Sequence, residues 1–264
     1  MGLIDEEAKA AKKYKLDRLE NSEHLVKLSR ENVAKIEFIL TIDSNYNGDD
    51  KPKKNKKGEE VFDGSSTYWL EKMKEVVIEK KPVKKAEYKK IVERVVTSLD
   101  RENSTHLETD GVGCAELTRR ICEMKQSDLV MDLYSGGYEL YERLAEKTHP
   151  NKSDKIGRKN LSFASKFCHY ACYAFFTDEK RDNYSIADSV IKRMIPIYMN
   201  YFGMEEPSKK ALDDYQVFQK CVNKLIAKSN NEISRNGFDH LIWYCYKGQN
   251  WKPAYAEYKH RKSR

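Results

Sequence analysis

The chain has 264 residues, of which 34% are charged and 39% hydrophobic, and its formal net charge is +7. Its seventeen tyrosines argue against wholesale disorder, because disordered chains are poor in aromatic residues. The length allows one large domain or two small ones with a sizeable core. The six cysteines lack Cys-x-x-Cys spacing, which argues against a zinc or iron–sulfur centre. We therefore expect no metal and no cofactor.

The N-terminal sequence has no signal-peptide pattern, and no apolar run approaches the length of a membrane span. A basic net charge is compatible with nucleic acid but does not prove it. These observations predict a cytoplasmic protein with no membrane association.

Apolar residues recur at helical spacing through most of the chain, and no run shows sustained alternation of apolar and polar residues. The pattern predicts an all-α, mainly helical fold. Predicted helices cover residues 5–43 (with a break at Asn21–Ser22), 66–80, 84–100, 114–125, 128–147 (interrupted at Ser135–Gly137), 161–176, 189 onward (kinked or ended by Pro196), 208–229 and 237–247.

Residues 45–64 interrupt the helical pattern with a basic run that contains the sequence NGDDKPKKNKKGEE. A solvated loop or linker explains this composition. The alternative is a basic loop that contacts phosphates.

The stretch Leu161–Phe176, LSFASKFCHYACYAFF, holds one charged residue, Lys166. Leu161, Ala164, Cys168, Ala171 and Phe175 form an apolar stripe, as in a helix packed on a core. Aromatic residues surround Lys166 on the opposite face, and partial desolvation there would lower its pKa and make it a nucleophile. The structural alternative is a lysine whose amine extends to water.

A second isolated charge follows at Asp188, the only acidic residue between Asn183 and Met204. Its structural interpretation is a capping box in which Ser185 starts a helix and Asp188 is the third residue of its first turn. The alternative is that this isolated carboxylate has a function.

The order of these features resembles the lysine-bearing helix-hairpin-helix DNA glycosylases, especially divergent proteins of the 8-oxoguanine DNA glycosylase type. The matching positions are Lys166, in Ala-Ser-Lys-Phe, and Asp188, in Tyr-Ser-Ile-Ala-Asp-Ser-Val. The segment 238–243, FDHLIW, is similar to the terminal helix of the divergent branch. The resemblance covers about residues 127–247. It implies a two-layer helical fold with a helix-hairpin-helix element.

We expect two regions in the chain. Residues 1–110, which the resemblance does not cover, would form an N-terminal helical region with the basic loop, and residues 111–264 a glycosylase-like domain that carries the active-site cleft. The resemblance also implies a partner. The partner would be double-stranded DNA containing a modified base, bound by a monomer.

Cleavage of an N-glycosidic bond builds positive charge on the deoxyribose, which a carboxylate near C1′ stabilises. The resemblance assigns this role to Asp188 and assigns to Lys166 the attack on C1′ that forms a Schiff base and permits strand cleavage. The target base must leave the stack, so its pocket needs aromatic or apolar walls. The candidates for substrate contacts are Tyr170, Tyr173, Phe163, His169 and Trp243.

Where the family's hairpin reads Leu-Pro-Gly-x-Gly, residues 160–165 of this chain read NLSFAS. Contact with a DNA phosphate would then use serine hydroxyls, backbone amides and flanking cations. The candidates are Ser162, Ser165, Arg158, Lys159, Lys192 and Arg193.

Two other functions fit the same residues. One is a module that binds modified DNA without cutting it, and the other is a helical interaction protein in which Lys166 and Asp188 are structural. The excised base would be an oxidised purine, as is typical of the family, or a bulky modified base of phage DNA, which would imply antiviral defence rather than repair.

Overall fold

The computed structural model describes residues 15–42, 51–54, 60–103, 105, 107, 113–148 and 159–263. The protein is mainly α-helical, which confirms the predicted fold class. The α-helices are α1 (Arg30–Ile42), α2 (Ser66–Val77), α3 (Lys85–Asn103), α4 (Gly113–Glu123), α5 (Gln126–Ser135), α6 (Tyr138–Ala145), α7 (Leu161–Phe175), α8 (Ser189–Tyr201), α9 (Tyr215–Ala227), α10 (Arg235–Tyr246) and α11 (Lys252–Lys262).

The chain divides by its internal contacts into two compact units. Unit A comprises the described residues of 1–48 and 188–264, and unit B those of 49–187. This division differs from the expected boundary at residue 110, because unit A is built from both ends of the chain. The layered arrangement and the helix-hairpin-helix element stay predictions.

Unit B contains α2–α7 and a short antiparallel ribbon, β1 (Lys53–Lys54) and β2 (Glu60–Phe62). Helix α2 begins as the sequence predicts, because the Ser65 side chain accepts a hydrogen bond from the Tyr68 amide at its N-terminus. The break between α5 and α6 is also confirmed, with Gly136 in the left-handed conformation at φ 67°. Helix α7 packs against α2, α3 and α6.

Unit A contains α1 and α8–α11, and α10 packs against α1, α8 and α9. Helix α8 continues past Pro196 to Tyr201, so the alternative that the proline ends this helix is wrong. Helix α11 was not predicted. Its sequence has almost no apolar periodicity, and Ala254 is its single fully buried residue among those described.

The predicted helix over residues 5–43 is wrong between residues 15 and 29, where the chain forms a turn with Asn21 at φ 57°. Residues 1–14 and 43 lie outside the described residues. The turn pairs Arg18 with Val26 as an antiparallel bridge. The buried Asn32 side chain of α1 accepts from the Asp17 amide at 2.9 Å and donates to the Lys27 carbonyl at 2.8 Å. Hydrogen bonds to the backbone therefore outweigh the helical spacing of the leucines.

Two buried tyrosines attach this turn to the helices of unit A. The Val26 amide donates to the Tyr246 hydroxyl at 2.9 Å, and that hydroxyl donates to the His24 carbonyl at 3.0 Å. The Tyr198 hydroxyl donates to the Val26 carbonyl at 2.9 Å. Burial raises the pKa of both phenols, so they stay protonated at neutral pH.

We expect Tyr246→Phe to lower the free energy of unfolding by about 1–3 kcal/mol, because the buried Val26 amide loses its acceptor. Urea unfolding measures this change. Tyr255→Phe is the matched control, because Tyr255 lies half-buried on α11, and it should change stability by less than about 0.5 kcal/mol. Equal effects of the two substitutions would contradict the role of the Tyr246 hydroxyl.

Candidate functional site

Helix α7 is buried around most of its circumference, which explains the low charge of its sequence. Ten of its fifteen residues are buried, and Lys166 is only 9% exposed. A lysine this buried must satisfy its ammonium group within the protein. Its Nζ hydrogen bond is only partly buried, so the interpretation in which the amine also reaches water stays an alternative.

The Lys166 Nζ donates a 2.9 Å hydrogen bond to the main-chain carbonyl of Asn103. Asn103 is the last residue of α3, and the carbonyl end of a helix carries partial negative charge that attracts a cation. The Tyr170 hydroxyl donates to Oδ1 of the same asparagine at 3.2 Å. Asn103 thus contacts the predicted nucleophile and one predicted pocket residue, a role that the sequence analysis missed because 63 residues separate it from Lys166.

Ser165 is completely buried, and its hydroxyl joins two parts of the backbone. It donates to the Ser162 carbonyl at 3.0 Å and accepts from the Ala187 amide at 3.0 Å. Ala187 directly precedes Asp188 in sequence. The Ser165 hydroxyl is therefore used inside the protein, next to Lys166, and is not displayed to a DNA phosphate.

The segment that leads to Asp188 is held at further points in unit B. The buried Tyr184 hydroxyl donates to the Asp132 carbonyl at 2.9 Å and to the Gly137 carbonyl at 2.8 Å. The His169 Nδ1 lies 2.8 Å from the Tyr184 carbonyl oxygen. His169 is 1% exposed, so its described role is to fasten this segment to α7.

Asn183, one residue earlier, has a similar effect. Its side-chain amide donates to the Leu133 carbonyl at 3.0 Å and to the Tyr134 carbonyl at 2.9 Å, at the end of α5. Residues 183–187 are thus fixed by side chains from both ends of the segment. The path of this segment within unit B is therefore well defined.

Asp188 is the N-terminal capping residue of α8. Its Oδ1 accepts from the amides of Val190 at 2.8 Å and Ile191 at 2.9 Å. The predicted capping box is wrong in its register, because Asp188 rather than Ser185 caps the helix. The position of an aspartate at a helix N-terminus agrees with the resemblance.

Lys166 belongs to unit B, and Asp188 is the first residue of the second segment of unit A. A shared cleft for their side chains therefore stays a prediction.

The predicted pocket residues of α7 form an aromatic cluster. The His169 ring lies 5.3 Å from the Tyr170 ring and 5.0 Å from the Tyr173 ring, measured between centroids. The Arg181 guanidinium lies 4.3 Å above the Tyr173 ring. Tyr170 and Tyr173 are half-buried and so keep some accessible surface.

The other two predicted pocket residues have different surroundings. Phe163 is 1% exposed and stacks on Phe167 at 6.1 Å, as a core residue does. Trp243 belongs to unit A, is 40% exposed, and has the Lys247 ammonium 4.5 Å above its ring.

Of the predicted phosphate contacts, Lys159 is exposed and Ser162 is half-buried in the first turn of α7. Lys192 forms an ion pair with Asp213 at 2.8 Å. The Arg193 guanidinium lies 4.3 Å above the Trp251 ring. Arg158 lies outside the described residues, as do residues 149–157.

No group of three or more His, Cys, Asp or Glu side chains among the described residues could hold a metal ion. Burial raises the pKa of the Cys168 and Cys172 thiols of α7, which keeps them protonated and unreactive. Within the described ranges, none of the helices has the length and apolar character to cross a membrane.

Comparison with models of known families, with curated proteins and with solved structures gave no match to this chain.

We expect Ser165→Ala to lower the free energy of unfolding by about 1–3 kcal/mol, because the buried Ala187 amide loses its acceptor. Hydrogen exchange of the Ala187 amide should accelerate in the same variant. Ser127→Ala, at an exposed serine of α5, is the control and should leave both measurements unchanged. Unchanged exchange at Ala187 in the Ser165 variant would contradict the described hydrogen bond.

Proposed function

We propose that this protein is a DNA glycosylase that extrudes a modified base from duplex DNA and excises it, with Lys166 as nucleophile and Asp188 as the stabilising carboxylate. The proposal is supported by a lysine in the second turn of a buried helix and by an aspartate that caps the next long helix. The modified base is an oxidised purine or a bulky base of phage DNA. The protein acts in the cytoplasm as a monomer without a cofactor.

The hydrogen bond between Ser165 and Ala187 carries this proposal. Ser165 directly precedes Lys166, and Ala187 directly precedes Asp188. One 3.0 Å contact therefore joins the immediate neighbours of the two proposed catalytic residues.

In the proposed reaction the neutral Lys166 amine attacks C1′ of the deoxyribose. A bond forms between Nζ and C1′, the N-glycosidic bond breaks, and its electron pair leaves with the base. Asp188 stabilises the positive charge that develops on the sugar. Ring opening gives a Schiff base, from which β-elimination cleaves the strand on the 3′ side.

The hydrogen bond from Lys166 to the Asn103 carbonyl describes the protein before this attack. The amine must leave that carbonyl and lose a proton to become a nucleophile. Tyr170 shares the same asparagine through its side chain, so substrate contact with Tyr170 would loosen both interactions together. This arrangement offers a route by which binding a base would release the amine.

A second candidate function is a helical module that binds modified DNA or another partner without cutting. It is favoured by the helix-terminal interactions of both residues, since Lys166 contacts the end of α3 and Asp188 caps α8. In that case both side chains contribute to stability alone.

Borohydride should trap the protein covalently on a duplex that carries its substrate base, and we expect Lys166→Gln to abolish trapping. A panel of duplexes, each with one modified base, identifies the substrate by the appearance of the trapped band. Lys125→Gln, at an exposed lysine before α5, is the control and should trap normally. Trapping by a folded Lys166→Gln protein would assign the Schiff base to another amine.

Asp188→Asn should slow base excision by about 10²–10³-fold, because it removes the charge that stabilises the transition state. Stability should change little, since asparagine also caps helices well. Single-turnover excision and urea unfolding measure the two effects.

The matched control is Asp214→Asn, because Asp214 caps α9 with the same pattern, accepting from the Gln216 and Val217 amides. It should retain excision. Full activity in the Asp188 variant would move the carboxylate role to Asp182 or Asp178 in the preceding loop.

A further inference from the structure

Unit B contains an open groove of about 630 Å³ along one face of α3, in the part of the chain that the resemblance does not cover. Its charged lining comprises four basic and two acidic residues. These are Lys89, Lys90, Arg94, Arg101, Asp63 and Glu93.

Three of these cations form a straight row on α3. Lys90, Arg94 and Arg101 are four and seven residues apart, which places them within about 40° of one another around the helix. At 1.5 Å per residue the row is about 16 Å long. Because the phosphates of one DNA strand wind around the duplex axis, a straight row of this length can contact a few neighbouring phosphates.

Towards the C-terminus of α3, the groove already holds an oxyanion, the side chain of Asp63. Its Oδ2 lies 2.7 Å from the Arg94 guanidinium, and its Oδ1 accepts from Arg101. Burial acts to raise the pKa of this carboxyl, but the hydrogen bonds and charges of Arg101 and Arg94 hold it below its usual value. The two arginines are therefore arranged to bind an oxyanion between them.

Hydrogen bonds to the backbone at Asp63 and Gly64 also hold this segment in place, so the arrangement does not depend on the Asp63 carboxylate alone. The Trp69 indole donates to the Asp63 carbonyl at 2.6 Å, and Arg101 donates to the Gly64 carbonyl at 2.8 Å. Towards the N-terminus of α3, Lys89 and Lys90 are exposed and have no ion pair among the described residues. The groove thus offers accessible cations at one end and a preformed oxyanion site at the other.

We propose that the α3 groove binds the phosphate backbone of duplex DNA. Lys89 and Lys90 contact phosphates towards the N-terminus of α3, and a further phosphate competes with Asp63 for Arg94 and Arg101. The choice of duplex DNA rests on the proposed function, whereas the phosphate chemistry rests on the groove itself. The inference gives the N-terminal half of the chain a role in holding DNA that is separate from the excision of a base.

The first test measures binding of an unmodified duplex of about 20 base pairs by fluorescence anisotropy between 50 and 200 mM salt. The double variant Lys89→Glu/Lys90→Glu should bind about tenfold or more weakly, and the slope of log K against log salt should become shallower by about two. Both lysines are exposed, so the variant should fold.

The matched control is Lys220→Glu/Lys224→Glu, which makes the same change in net charge at exposed positions of α9 in unit A. Its affinity should fall much less. Equal losses in the two double variants would show an effect of net charge alone and overturn the proposal, and so would unchanged binding in the groove variant.

The second test reverses the sign of the effect. Asp63→Asn removes the carboxylate that competes with the phosphate, so duplex affinity should rise by roughly threefold or more at low salt. Glu123→Gln, at an exposed glutamate that pairs with Arg119, makes the same charge change outside the groove and is its control. A folded Asp63→Asn protein with unchanged or weaker affinity would overturn the competition between Asp63 and phosphate.

Two further outcomes separate this inference from others. Groove-dependent binding to vesicles containing phosphatidylserine, with duplex binding unaffected, would assign the groove to a membrane surface and overturn the proposal. Groove-dependent duplex binding in a protein that forms no borohydride-trapped complex with any modified duplex would support the groove and count against the Schiff-base chemistry. All of these measurements use the full chain.

Discussion

The Ser165 hydroxyl donates to the Ser162 carbonyl and accepts from the amide of Ala187, which lies 22 residues after Ser165 in the chain. Because a buried amide without an acceptor costs about 1–3 kcal/mol, this contact limits where the chain can run between α7 and α8. Tyr184 and Asn183 reinforce the same path by donating hydrogen bonds to carbonyl groups of α5. The path of residues 183–187 thus follows from side chains buried in unit B.

Lys166 illustrates how a charge can be buried in such a helix. Its ammonium contacts the carbonyl end of α3, where the partial negative charge of the helix offsets some of the lost hydration. In a purely structural protein this contact would serve only to stabilise the buried ammonium group. In the proposed glycosylase it would be a resting position, since Tyr170 ties the same asparagine to the aromatic cluster.

Much of the fold could be predicted where local signals agree. Helix α7 differs sharply in composition from the rest of the chain, Ser65 caps α2, and paired glycines separate α5 from α6. The turn at residues 15–29 could not be predicted, because its leucines have helical spacing while distant tyrosine hydroxyls decide its path. Helix α11 was missed for the opposite reason, a lack of apolar periodicity.

The candidate site was predictable to a similar degree. The isolation of Lys166 and Asp188 in charge-poor stretches was visible in the sequence. Their partners were not, because Asn103 and Ala187 contribute backbone groups, which carry no signal in the side-chain pattern. Phe163 and Tyr170 are both aromatic residues of the same helix, and only packing separates the core residue from the half-buried one.

The construction of unit A from both ends of the chain affects the order in which the protein can fold during synthesis. The Val26 amide cannot form its hydrogen bond until Tyr246, 220 residues later, has been synthesised. Ribosomes add about 5–20 residues per second. The delay is roughly 10–40 s, during which Leu25 and Val26, fully buried in the final fold, remain on an incomplete chain. Unit B emerges whole in that interval. The middle of the chain can therefore fold first, while the N-terminal segment cannot complete its packing until Tyr246 has been synthesised.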